Sequence, residues 1–134
     1  MTVVVGYLPT AEGRAALRRA AEECRLRGTD LVVIDAVGGA DDLESDQKAV
    51  SERELRAVQE ELDQAGVSHQ VRPATSDGDL ADDIVSAAED LSAEVIVIGL
   101  RRRSPVGKLV LGSSSQRVLL DAPCAVLAVK AAQN

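Results

Sequence analysis

Residues 99–121 read GLRRRSPVGKLVLGSSSQRVLLD and gather the residue types best suited to holding an anion. Arg101, Arg102, Arg103 and Lys108 bring four positive charges into one short loop. A guanidinium donates two parallel hydrogen bonds and so fits a phosphate or carboxylate edge. Gly112 and the serines Ser113, Ser114 and Ser115 follow, adding hydroxyl donors at the start of a helical pattern. Free N–H groups and a partial positive charge at a helix start favour an anion. Ser113 with Gln116 three residues later also matches a capping box, which needs no ligand. The arginines, likewise, are equally readable as a solvated or interface loop. A P-loop is excluded: Gly107–Lys108 supplies the G-K pair, but Arg102 stands at its first glycine and Leu109 replaces the hydroxyl residue.

The elements that must carry this stretch alternate regularly. TVVVGY (2–7) is β-branched and predicts a strand. Leu17, Ala20, Ala21 and Cys24 recur at helical spacing over 11–27, and Gly28 stands at the expected stop. DLVVIDAV (30–37) predicts a second strand, and Leu55, Val58, Leu62 and Ala65 mark a second helix ending at Gly66. VSHQVRP (67–73) alternates as a half-exposed edge strand does. Leu80, Ile84, Ala87, Ala88 and Leu91 predict a third helix. EVIVIGL (94–100) reads as a central strand, SSSQRVLLD as a fourth helix, and CAVLAVK (124–130) as the fifth strand. Strands alternating with helices imply a parallel sheet covered on both faces, a three-layer α/β/α domain spanning 1–134. In such sheets ligands bind beyond the carboxyl ends of strands, where the strand order reverses. That singles out Leu8, Pro9 and Thr10 after the first strand, and the arginine loop after the fourth.

Composition narrows the functions. The 134 residues carry a net charge of −7, and Tyr7 is the only aromatic residue. Nucleic-acid binding is not expected of an acidic chain without stacking side chains. Any anion site must be local. Cys24 and Cys124 are far apart and read as small core residues of a reduced protein. The N-terminus lacks a basic region, and no apolar run approaches a membrane span, so a cytoplasmic protein without membrane contact is expected. His69 has no ligand-spaced partners, and no G-x-S-x-G elbow frames the serines, so neither a metal nor catalysis is expected. Asp41–Asp42 and Asp82–Asp83 read as solvated loop and helix-start residues, the second pair in the first turn of the third helix, where negative charge favours the dipole.

With the residues VVVGY…EGRAALRRA and AEVIVIGLRRRSPVGKLVLGSSSQRVLLDAPCAVLAVK, the chain resembles the universal stress proteins over essentially its whole length. The resemblance implies a five-stranded parallel sheet in the order 3-2-1-4-5. It also implies an adenine nucleotide, such as ATP, in a crevice between the first and fourth strands. The family motif G-x2-G-x9-G-[ST] places Gly99 at its first glycine and Gly112–Ser113 at its end. Arg102 stands where the middle glycine belongs, and Leu8 where ATP-binding members carry an aspartate. Phosphates would lie against Gly112, Ser113 and Ser114, with Arg101, Arg102 or Arg103 assisting; magnesium is left open. The resemblance further implies a homodimer pairing through the last strand. Two readings follow: a nucleotide-responsive stress protein, or a dimeric interaction module of the same fold that binds no nucleotide.

Overall fold

The computed structural model describes residues 2–36, 45–75, 79–102, 109–110 and 113–131. Along the chain run β1 (Thr2–Tyr7), α1 (Ala11–Arg27), β2 (Asp30–Asp35), α2 (Ser45–Gln64), β3 (His69–Pro73) and α3 (Leu80–Leu91). They are followed by β4 (Val95–Arg102), β5 (Leu109–Val110), α4 (Ser113–Asp121) and β6 (Ala125–Lys130). Five strands form a parallel sheet in the spatial order β3-β2-β1-β4-β6. This is the expected 3-2-1-4-5 order, with β6 as its fifth parallel strand. The addition is β5, which pairs antiparallel with the end of β4, Arg101 opposite Val110 and Arg102 opposite Leu109. The start of the arginine loop is therefore strand. Pairing with β6 stops at Leu100, and the next backbone groups find hydrogen-bond partners in β5 instead of water.

The period of two along each strand sorts its side chains into two cores. Val3, Val5 and Tyr7 pack with Leu17, Ala20 and Cys24 of α1 and with Leu55 and Leu62 of α2. Val4, Val32, Ile34, Ile96 and Ile98 face the other way, against Ile84, Ala87 and Ala88 of α3 and Val118 of α4. The sheet is thus buried on both faces, which is why its central strands read as unbroken Val/Ile runs. β3 lies at one edge and shows no fully buried residue.

The helix ends follow local chemistry. The Thr10 hydroxyl accepts from the Gly13 N–H at 3.1 Å and opens α1. Gly28 closes it in the left-handed region (φ 67°), its N–H donating to the Cys24 carbonyl at 2.8 Å. Asp79 opens α3, accepting from the Ala81 N–H at 3.2 Å. In α4, Ser113 is the first helical residue; Gly112 lies outside the described residues.

Candidate functional site

β1 and β4 are paired only from Val3–Val95 to Val5–Val97. Beyond that point they diverge: β1 continues against β2 as far as Tyr7–Asp35, and β4 against β6 as far as Leu100–Lys130. A hollow of about 80 Å³ opens where they part. Gly6, Ile98 and Gly99 form its floor. The β1–α1 turn supplies Leu8, Glu12 and Gly13, α3 supplies Leu80 and Ile84, and α4 covers it with Ser114, Ser115 and Val118. This is the crevice at the strand-order reversal that open α/β sheets use for ligands.

Close backbone approach shapes the floor. A Cβ on Gly99 would lie 2.2 Å from the Glu12 carbonyl oxygen, and one on Gly13 would lie 2.0 Å from that of Leu8. The first turn of α1 therefore rests directly on the end of β4 and on the turn that follows β1. Gly99 has a packing reason as well as a place in the hollow. Leu8 lines the rim with 41% of its surface exposed, an apolar contact where a carboxylate would have offered hydrogen bonds.

Behind Ser114, on the polar side of the crevice, stands a residue that the sequence reading missed and that does not itself line the hollow. The Asp79 carboxylate accepts from the Ser114 hydroxyl at 3.0 Å and from Arg117 at 2.9 Å, besides capping α3. Arg117 also pairs with Asp82. The Ala81 N–H, then the Ser114 hydroxyl and Arg117, hold Asp79 below the usual carboxylate range, so it stays ionised at neutral pH. A hydroxyl has one proton, and a carboxylate can only accept. Ser114 thus donates to Asp79 and offers only lone pairs to the crevice, whereas the sequence reading counted it as a donor. Asp82 and Asp83 stand in the first turn of α3, as expected, and Asp83 also accepts from the Thr75 N–H at 3.0 Å and from its hydroxyl at 2.9 Å. The capping signal at Asp79, just before the apolar run of α3, was available in sequence. Its partners were not, because they stand 35 and 38 residues away.

Of the residues singled out in the sequence as ligand candidates, Leu8, Gly99, Ser114 and Ser115 meet in the hollow. Thr10 caps α1 and Pro9 belongs to the same turn, but neither lines the hollow. Arg101 and Arg102 end β4, and Ser113 begins α4. Arg103, Lys108 and Gly112 lie outside the described residues, as do Asp41 and Asp42. On the opposite face of the sheet, the Tyr7 hydroxyl donates to Glu54 at 2.6 Å, and Arg14 donates to the same carboxylate at 2.9 and 3.3 Å. Burial, then the Glu54 contact, pushes the Tyr7 pKa well up. This triad ties α2 to β1 and α1. Cys24 and Cys124 are free thiols, both raised in pKa by burial. Among the described residues no cluster of three His, Cys, Asp or Glu could hold a metal, and no helix is long and apolar enough to cross a membrane.

A parallel sheet covered on both faces, with a crevice at the β1/β4 divergence, defines a Rossmann-like α/β class of fold. The chain belongs to the universal stress protein family, whose model matches residues 1–130. A universal stress protein of Mycolicibacterium smegmatis is 41% identical over 128 residues, spanning 96% of both chains. A solved universal stress protein structure from Archaeoglobus fulgidus matches with a TM-score of 0.74 at 32% identity, covering 97% of this chain and 98% of that one. An Archaeoglobus fulgidus universal stress protein in complex with dAMP matches with a TM-score of 0.69 at 28% identity and the same coverage.

Proposed function

We propose that this protein is a nucleotide-responsive regulator that binds an adenine nucleotide in the β1/β4 crevice, without catalysing a reaction. The observation that carries this reading is the divergence of β1 and β4 after Val5–Val97, directly beneath the first turn of α4. Leu8, Leu80 and Ile84 offer apolar contact to a flat base, and Ser114 and Ser115 of the first turn of α4 line the same opening. The dAMP complex of the Archaeoglobus fulgidus relative supports the ligand class. Arg101, Arg102, Arg103, Gly112 and Ser113 complete the proposed site from the segments flanking β5. The hollow of about 80 Å³ is smaller than the roughly 300–1,000 Å³ usual for small-molecule sites. A nucleotide would therefore lie partly on the rim, its phosphates toward α4, or Leu8 would swing aside. The wider proposal is a cytoplasmic homodimer paired through β6, whose only strand partner among the described residues is β4; pairing would remove an open sheet edge.

The Leu8 substitution and the small hollow favour a second reading, a dimeric interaction module with no nucleotide. Calorimetric titration of nucleotide-stripped protein separates the two. Saturable binding of AMP or ATP, weakened in Arg102→Ala, supports the nucleotide site with the arginine as part of it. No heat up to millimolar concentrations of either ligand leaves the interaction module.

A further inference from the structure

The Asp79–Ser114 contact sets a preference among adenine ligands, an inference that rests on the crevice reading above. Three charged side chains cluster beside the first turn of α4. Arg117 bridges Asp79 and Asp82, so two carboxylates share one guanidinium and the cluster retains one negative charge. Asp79 is only one hydrogen bond, 3.0 Å, from Ser114, which lines the hollow. Asp79 stands behind Ser114 and does not itself line the hollow, whereas the Glu12 side of the α1 turn does; its charge offsets the positive end of the α4 dipole that would otherwise attract phosphate. Ser114 cannot offset it, because its single proton already lies toward Asp79. What Ser114 can do is accept a hydrogen bond, and a ribose hydroxyl donates one.

We propose that Asp79 is a specificity-determining positioning residue. Acting through Ser114, it makes the crevice favour adenine nucleosides and nucleoside monophosphates over nucleoside triphosphates. Each further phosphate adds negative charge near a fixed carboxylate. At separations of several Å and partial solvent screening, such repulsion amounts to about tenfold in affinity. Arg101, Arg102 and Arg103 of the proposed site would pull the other way, so the order of affinities reports which charge dominates the phosphate end.

The test is calorimetry with adenosine, AMP and metal-free ATP on the stripped wild-type protein and on Asp79→Asn. Asparagine keeps the N-cap acceptor and the acceptor for Ser114 while removing the charge. Adenosine and AMP should bind about tenfold or more tightly than ATP, and Asp79→Asn should raise the ATP-to-adenosine affinity ratio about tenfold. In 0.5 M salt the wild-type preference should shrink. ATP binding most tightly to the wild type would overturn the proposal and assign the phosphate end to the arginines. An Asp79→Asn variant that shifts adenosine and ATP equally would also overturn it, since a purely structural role has that signature. Should the variant fail to fold, the wild-type affinity order alone decides. No binding by any of the three ligands would refute the nucleotide site itself, and this inference with it.

Discussion

Gly99→Ala tests whether the crevice floor is built by backbone contact. A Cβ there would sit 2.2 Å from the Glu12 carbonyl oxygen, 2.7 Å from its carbon and 3.0 Å from the Glu12 Cβ. All three atoms belong to the first turn of α1, so no flexible side chain can swing clear. The turn must retreat by about 1 Å to restore ordinary contact. It cannot do so freely, because Thr10 caps it and Gly13 packs on Leu8. Overpacking of this kind costs about 3 kcal/mol. For a domain of this size that corresponds to a fall in melting temperature of about 10 °C. Gly28→Ala is the matched control. Nothing lies within 4 Å of its added Cβ, and only the φ of 67° opposes it, so about 1 kcal/mol is expected. Urea denaturation of both variants measures the difference. If Gly99→Ala costs no more than Gly28→Ala, the close contact does not shape the floor and the steric account fails.

Other expectations follow from the polar contacts. Tyr7→Phe removes a hydrogen bond to the Glu54 carboxylate from a buried ring and should cost about 2 kcal/mol in urea denaturation. Asp79→Ala removes the α3 cap together with the acceptor for Ser114 and Arg117. It should destabilise by about 1–2 kcal/mol, clearly more than Asp79→Asn, and equal losses would show that the carboxylate oxygens act only through charge. Glu54 is held below its ordinary pKa chiefly by Arg14, Asp79 by the Ala81 N–H and Glu23 by Arg27. A carboxylate with a depressed folded-state pKa contributes fully above its unfolded value, about 4, and the contribution disappears as pH falls through the folded value. Melting temperature should therefore decline below about pH 4, and a flat profile down to pH 3 would contradict these pairings.

Much of the fold was legible in the chain because its signals are local. The boundaries of β1, α1 and α3 match their sequence patterns, down to Gly28 as the α1 stop. The unbroken apolar run of the fourth strand and the alternation of the third correctly separated a central strand from an edge. What failed was non-local. Arg101 and Arg102 read as loop because a two-residue antiparallel pairing leaves no periodic trace. The partners of Asp82 and Asp83 were not legible because they come from α4 and from the β3–α3 connection.

The sequence by itself determined the alternation of strands and helices, the helix stops, and the two ends of strands where a ligand could lie. Each depends on residues within a few positions of one another. The tertiary structure alone decided where β1 and β4 part and that Gly99 meets the carbonyl of Glu12. It alone turned Ser114 from a donor toward a ligand into a donor toward Asp79. The direction of that one proton depends on which acceptor packing brings within 3.0 Å across 35 residues, and no local pattern encodes it.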